Sequence, residues 1–156
     1  MATLIHQVWI DAPVATVYGA LATAEGLGRW WAPHTSEETD AGLVLAHSPG
    51  KEHGDVRMRV AELVPFKRVE WEIISTHPPE SPASAWTGTR ISFDLEERPS
   101  PGHWMGMQNG GMPMAVLNFR HAGWDADSPF YGFCNYAWGV TLDMLRQWCE
   151  SQQSKG

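Results

Sequence analysis

Residues 128–150 read SPFYGFCNYAWGVTLDMLRQWCE, and the fold is organised around this stretch. Ser128 can cap a helix N-terminus, Pro129 suits the first helical position, and no later proline interrupts the segment. At about 100° per residue, its large side chains fall within one broad stripe. The stripe consists of Phe130, Phe133, Cys134, Ala137, Trp138, Val140, Thr141, Met144, Leu145 and Trp148. We therefore predict a long amphipathic helix over residues 129–152, and such a helix needs a large concave partner.

The rest of the chain supplies that partner. Residues 4–10 are apolar and rich in β-formers, and residues 13–31 have the spacing of two short helices that end before Pro33. Between residues 35 and 121 the apolar side chains alternate with polar ones, as in half-buried strands. Residues 99–111 form a Gly- and Pro-rich excursion. The pattern predicts a single α+β domain over residues 1–156, in which a curved antiparallel sheet of six or seven strands wraps around the C-terminal helix.

Composition excludes several partners. The chain has 156 residues, a formal charge of -7 and a pI near 5.4, which argue against nucleic acid and anionic membrane surfaces. It has no apolar run long enough for a transmembrane helix, and its start lacks the pattern of a signal peptide. Cys134 and Cys149 are separated along the helix by about 22 Å, beyond disulfide reach, so free thiols and a cytoplasmic location are expected.

Motifs for metal, cofactor or nucleophilic chemistry do not stand out. The seven histidines include no HExxH and the cysteines no CxxC, so no metal is expected. No GxSxG motif is present, and no glycine-rich turn follows a strand and opens a helix to hold a phosphate. We expect no cofactor.

His121 is the best candidate for acid–base chemistry. In a strand, His121 lies on the same face as Leu117 and Phe119, because side chains at every second residue share a face. Its side chain is therefore predicted to point inward near the start of the last helix. A buried histidine is more often a hydrogen-bonded structural residue than a general acid or base, and both roles stay open. His6, on the face of Val8 and Ile10, has the same two interpretations.

Several short motifs, in this order, resemble one known family. They are Ile10-Asp11-Ala12-Pro13-Val14, Trp30-Trp31-Ala32-Pro33, the hairpin VAELVP to RVEW (60–71), TGTRISF (87–93) and LNFRHAGW (117–124). Together they resemble the START-like (SRPBCC, helix-grip) superfamily, and most closely the group named for an activator of a heat-shock chaperone's ATPase, near the polyketide cyclases and dehydrases. The resemblance implies that the inward face of the sheet also forms the wall of a cavity.

On that basis we predict the residues that would line a ligand cavity. They are Trp71, Trp86, Thr89, Phe93, Phe119, His121, Ala137, Trp138, Thr141 and Leu145. Phe130, Phe133 and Trp148 are expected to seal the helix ends. Trp104, Met105 and Met107 could form an apolar lid or an exposed interaction patch.

The sequence is compatible with three functions. The first is binding of a small apolar or aromatic molecule without catalysis, by a monomer or a homodimer. The second is a cyclase/dehydrase-type enzyme that uses His121 as acid or base. The third is a co-chaperone-like protein-interaction module. Because no catalytic constellation is apparent, the interpretation leans towards binding rather than enzymatic activity.

Overall fold

The protein is described by a computed structural model for residues 1–106 and 110–153. Seven strands and three α-helices follow one another in the described chain. The strands are β1 (Ala2–Ile10), β2 (Thr35–Thr39), β3 (Gly42–His47), β4 (Val56–Val64), β5 (Arg68–Ile73), β6 (Arg90–Pro99) and β7 (Pro113–Trp124). The helices are α1 (Val14–Leu21), α2 (Ala24–Gly28) and α3 (Tyr131–Gln153), with short 3₁₀ turns at Pro82–Ala85 and Gly102–Met105.

All seven strands form one antiparallel sheet in the order β1-β7-β6-β5-β4-β3-β2. Strands β2 to β7 therefore form a continuous meander, and β1 closes the far edge beside β7. The predicted α+β class, with a long C-terminal helix and two short helices after the first strand, is confirmed. Strand β7 extends to Trp124, beyond the expected end at residue 121, and its residues up to Trp124 pair with β1; Gly123 has a positive φ of 92°, which glycine adopts without strain.

The two short helices form a compact corner against the sheet. Thr23 caps α2 by accepting a hydrogen bond from the N–H of Gly26 at 3.0 Å. Trp30 is buried, and its indole N–H donates to the carbonyl of Ala20 at 2.8 Å, which ties the end of α2 back to α1. The neighbouring Trp31 is only half-buried, and its ring projects towards α3 and β3.

Helix α3 packs against β1 and α1 with a different face from the one predicted. Its buried side chains are Cys134, Trp138, Leu142, Leu145 and Cys149. The expected inward residues Phe133, Val140 and Met144 are exposed. At 100° per residue, the buried face is turned by roughly 80° from the centre of the predicted stripe. The apolar side of this helix is too broad for one sheet to cover, so packing selects only part of it.

The half-buried flank of α3 has a consequence for function. Ala137 and Thr141 lie one turn apart beside the buried face, and Phe133 lies one turn before them. This flank faces the open end of the sheet. In the described residues, no helix combines the length and apolar character that crossing a bilayer requires.

Candidate ligand-binding site

The middle of the concave sheet face is filled by protein side chains. Trp71, Phe93 and Phe119 are fully buried, with ring centroids 4.9 Å apart for the first pair and 5.4 Å for the second. Phe119 meets Trp138 of α3 at 4.6 Å, and Leu145 completes the packing from the helix side. Of these predicted ligand-lining residues, Trp71, Phe93, Phe119 and Leu145 therefore lie in the core and line neither cavity described below.

The open space lies at one end of this core, between α3 and strands β3 and β4. Two adjoining cavities of about 340 and 190 Å³ share His47, Trp86, Cys134 and Ala137 in their walls. The larger one is completed by Pro49, His53, Val56, Ser81, Pro82, Ala83 and Phe133. The smaller one is completed by Trp31, Trp138 and Thr141. Trp86, Ala137, Trp138 and Thr141 are thus the predicted residues that the structure brings together at a cavity.

Aromatic rings form the inner walls. Trp86 stacks on Trp138 with ring centroids 5.6 Å apart and an interplanar angle of 15°. Trp31 lies against Trp138 at 5.6 Å and against His47 at 4.8 Å. The indole N–H of Trp86 donates to the sulfur of Cys134 at 3.4 Å, which fixes this wall to α3. The walls therefore present flat aromatic surfaces of the kind that hold apolar or aromatic ligands.

His121 lies behind these walls in a closed chain of hydrogen bonds. The hydroxyl of Thr89 donates its proton to the carbonyl of Trp86 at 2.5 Å, so its oxygen accepts from Nε2–H of His121 at 2.7 Å. Nδ1 of His121 in turn accepts from the indole N–H of Trp138 at 3.1 Å. This pattern requires a neutral imidazole with its proton on Nε2.

These hydrogen bonds favour a structural role for His121 over acid–base chemistry. Both ring nitrogens are occupied by protein partners, the side chain is fully buried, and burial lowers its pKa to about 3. Neither nitrogen is free to exchange a proton with a molecule in the cavities. Thr89 and His121, both predicted to line the cavity, line neither one; they lie behind the wall and hold the backbone of Trp86 and the indole of Trp138 in place.

Two neighbouring histidines lie closer to the cavities: His47 lines both of them, and His34 lies beside it outside the lining. His47 ends β3, lines both cavities and is 9% exposed, and its ring is 4.6 Å from that of His34. Nδ1 of His34 bonds the carbonyl of Ala32 at 2.6 Å. Burial lowers the pKa of His34, and burial together with His34 and His77 lowers that of His47 to about 4. Both rings are therefore neutral at pH 7.

Polar atoms remain without protein partners around this pair. Nδ1 of His47, Nε2 of His34 and Nε1 of Trp71 are all buried and have no hydrogen-bond partner among the residues that the structure describes. The rings of all three residues lie within 6.2 Å of the ring of Trp31, measured between centroids. A buried polar group without a partner costs about 1–3 kcal/mol. These three atoms therefore form a polar region near the cavity whose hydrogen-bonding capacity is unused.

A third histidine, His53, lines the larger cavity, and His77 lies next to it outside the lining. Nδ1 of His53 and the hydroxyl of Ser81 are 2.7 Å apart, and His77 bonds the carbonyl of His53 at 2.7 Å. Within residues 1–106 and 110–153, no three His, Cys, Asp or Glu side chains are placed to hold a metal ion. The expected absence of a metal stays a prediction.

Cys134 is the thiol in the cavity wall. Burial raises its pKa, and the hydrogen bond from Trp86 opposes this only in part. A protonated, buried thiol is a poor nucleophile, so its role is that of a packing residue. Both Cys134 and Cys149 are free and buried.

The lid hypothesis receives no support from the position of Trp104. This side chain is 85% exposed and lines neither cavity. Met107 lies outside the described residues. His6, the second inward histidine, packs on Phe119 with ring centroids 5.9 Å apart and lies beside α3 rather than in the cavity.

Sequence reasoning missed Trp31, His34, His47 and His53. A usable signal existed for His47, because it has the same parity as the buried Leu45 on β3. Trp31 and His34 follow the end of α2 in irregular chain, where no periodicity indicates a direction. His34 directly precedes β2, whose hairpin register with β3 pairs Thr35 with Ala46 and so brings His34 beside His47, whereas the approach of Trp31 to β3 depends on the tertiary structure.

Comparison with known proteins agrees with this fold. A model of the family described as "Activator of Hsp90 ATPase homolog 1-like protein" matches residues 11–150. No curated protein sequence matches this chain significantly.

Solved structures share the same architecture. The Aha1 dimer from Colwellia psychrerythraea is 27% identical, with a TM-score of 0.69 over 96% of this chain and 97% of the other. CalU16 from Micromonospora echinospora is 14% identical, with a TM-score of 0.64 over 92% of this chain and 71% of the other. DynU16, from the dynemicin biosynthetic locus, is 14% identical, with a TM-score of 0.66 over 96% of this chain and 48% of the other. The resemblance drawn from the sequence is confirmed: the chain has the START-like helix-grip fold and belongs to the Activator of Hsp90 ATPase homolog 1-like family.

Proposed function

We propose that this protein binds a small apolar or aromatic compound, without catalysis, in the cavity between the flank of α3 and the β3–β4 end of the sheet. The observation that carries the proposal is the lining of the larger cavity. Its volume of about 340 Å³ falls within the range of small-molecule sites, and its wall is largely apolar with a few polar groups. The predicted residues Trp86, Ala137, Trp138 and Thr141 would contact the ligand.

The enzyme hypothesis is less well supported. It requires His121 to exchange protons with a bound molecule, and the hydrogen bonds that His121 donates to Thr89 and accepts from Trp138 oppose that role. The cysteine in the wall is protonated by virtue of its burial. Binding therefore needs fewer assumptions than catalysis.

Titration with naphthalene-sized compounds tests the binding proposal. Trp31, Trp86 and Trp138 border the smaller cavity, so a bound aromatic compound should change the tryptophan fluorescence. Native mass spectrometry should detect a one-to-one complex. If none of a series of apolar and aromatic compounds binds saturably, the proposal is contradicted.

A second candidate is self-association through the outer face of α3, within the interaction-module hypothesis. Phe133, Tyr136, Val140 and Met144 are 56%, 69%, 47% and 38% exposed and follow one another at helical spacing. The 27% identical relative from Colwellia psychrerythraea is described as a dimer. This surface is the candidate for a homodimer interface.

Sedimentation equilibrium tests this second candidate. A dimer in the parent chain that dissociates in Tyr136→Lys supports it, with Ser36→Lys on the exposed edge strand as the control. A monomer at every concentration, or a dimer indifferent to Tyr136→Lys, would argue against this surface.

A further inference from the structure

The unpaired polar atoms of His34, His47 and Trp71 near Trp31 indicate which chemical groups a ligand would carry. We infer that the bound compound is a neutral aromatic molecule with a hydroxyl group, and that His47 is its hydrogen-bonding anchor. The inference rests on the proposed binding function and adds to it the chemistry of the recognised group.

The first argument is the position of His47. Its ring contributes to the walls of both cavities, so a molecule that spans them passes along it. The residue is 9% exposed, and its Nδ1 is buried and unpaired within residues 1–106 and 110–153. In contrast, the other histidine in the lining, His53, already has Ser81 as partner of its Nδ1. His47 is therefore the histidine in this lining with an unused, buried hydrogen-bonding atom.

The second argument concerns the surroundings of that atom. Trp31 lies 4.8 Å from the ring of His47 and also lines the smaller cavity, so an aromatic ring there could contact both. His34 is 4.6 Å from His47 and has its own buried nitrogen without a partner. The indole nitrogen of Trp71 adds a third, and it can only donate. Trp71 and His34 line neither cavity, so His47 is the member of these three whose ring borders the space for a ligand.

The third argument selects a hydroxyl group. A hydroxyl can donate to an imidazole lone pair or accept from an imidazole N–H, so it suits either tautomer of His47. A carboxylate would need a cation, and the rings of His34 and His47 are neutral at pH 7 because burial lowers their pKa values. Placing an ionised group in this apolar cavity without a counterion is costly. The site therefore favours neutral hydroxylated aromatics over aromatic acids.

Three probes of similar shape test the inference: 2-naphthol, 2-methylnaphthalene and 2-naphthoate, each titrated at pH 7 by tryptophan fluorescence. One neutral hydrogen bond is worth about 1 kcal/mol, so 2-naphthol should bind about five-fold more tightly than 2-methylnaphthalene. The carboxylate should bind more weakly than both. His47→Phe should bring the affinities for 2-naphthol and 2-methylnaphthalene to a ratio of about one, whatever its absolute affinity for either, whereas His6→Phe, outside both cavities, should keep the preference.

The outcomes separate this inference from the proposed function. Equal binding of 2-naphthol and 2-methylnaphthalene by the parent protein would overturn the inference and leave the binding function standing. A preference that survives in His47→Phe would assign the hydroxyl to another group and overturn the role of His47. Binding of none of the probes would overturn both. The comparison of probes on the parent protein needs no variant, so it stands even where His47→Phe folds poorly.

Discussion

The indole N–H of Trp138 donates a 3.1 Å hydrogen bond to Nδ1 of His121, linking the middle of α3 to the end of β7. Both side chains are buried, and the second ring nitrogen of His121 continues the chain to Thr89. The bond fixes the rotation of α3 about its axis, because a turned helix would leave His121 with an unpaired nitrogen in the core. It also positions Trp138 as a cavity wall.

Trp138→Phe should destabilise the protein through that lost donor. The unpaired, buried Nδ1 of His121 costs about 1–3 kcal/mol, in addition to the smaller loss of ring volume. The free energy of unfolding in urea measures the change. Trp104→Phe is the matched control, since Trp104 is 85% exposed and its replacement should alter stability by less than about 0.5 kcal/mol. Equal effects of the two substitutions would contradict the role of the bond.

Stability should fall as the pH drops below about 6.5, the ordinary histidine pKa. Burial lowers the pKa of His47 to about 4 and that of His121 to about 3, so the unfolded chain binds protons that the folded protein does not. Between pH 7 and pH 5 each of these residues should remove about 2 kcal/mol of stability. The loss of stability from each histidine levels off as the pH approaches its folded-state pKa, about 4 for His47 and about 3 for His121.

Urea unfolding at the two pH values checks this dependence. His47→Phe removes one of the groups, so the variant should lose about 2 kcal/mol less than the parent between pH 7 and pH 5. A parent protein equally stable at both pH values would show that these histidines are protonated in the folded state.

Gly26→Ala should destabilise the corner between α1 and α2. A Cβ at this position would lie 2.1 Å from the backbone carbonyl oxygen of Gly19, and a backbone atom cannot move aside as a side chain can. Helix propensity alone predicts the opposite, a gain of up to about 1 kcal/mol. We expect a net loss of at least about 1–3 kcal/mol from overpacking.

Gly28→Ala is the control for that substitution. It lies in the same helix, and the nearest atom to its added Cβ would be 4.0 Å away. We expect no loss of stability there, and thermal unfolding of both variants makes the comparison. A stable Gly26→Ala variant would mean that the two helices can separate without cost.

Ala137→Phe should block the proposed binding site. Ala137 lines both cavities and is half-buried on the flank of α3, so a larger side chain there would fill the space without entering the filled core. Affinity for 2-methylnaphthalene should fall at least ten-fold while the melting temperature changes little. Ala126→Phe, in the exposed turn before α3, is the control. Unchanged affinity in Ala137→Phe would place any bound compound elsewhere.

The sequence by itself determined the elements and their order. Period-two alternation marks β5, β6 and β7, parity correctly points His121 inward, and the uninterrupted apolar run with Ser128 before it marks α3. These signals are local, because side-chain direction follows from the period of the backbone. The α+β architecture follows from them, since each apolar face needs another to cover it.

Only the tertiary structure decided the rotation of α3 and the position of the open space. The apolar side of α3 is wide, and whether Phe133 or Leu142 faces the sheet depends on the fit against β1 and on the bond between Trp138 and His121. Trp71, Phe93 and Phe119 fill the centre of the concave face, which leaves space beside His47. His34 and His47 lie next to each other because His34 directly precedes β2 and continues the register that pairs Thr35 with Ala46, whereas the approach of Trp31 and α3 to this pair depends on the tertiary structure.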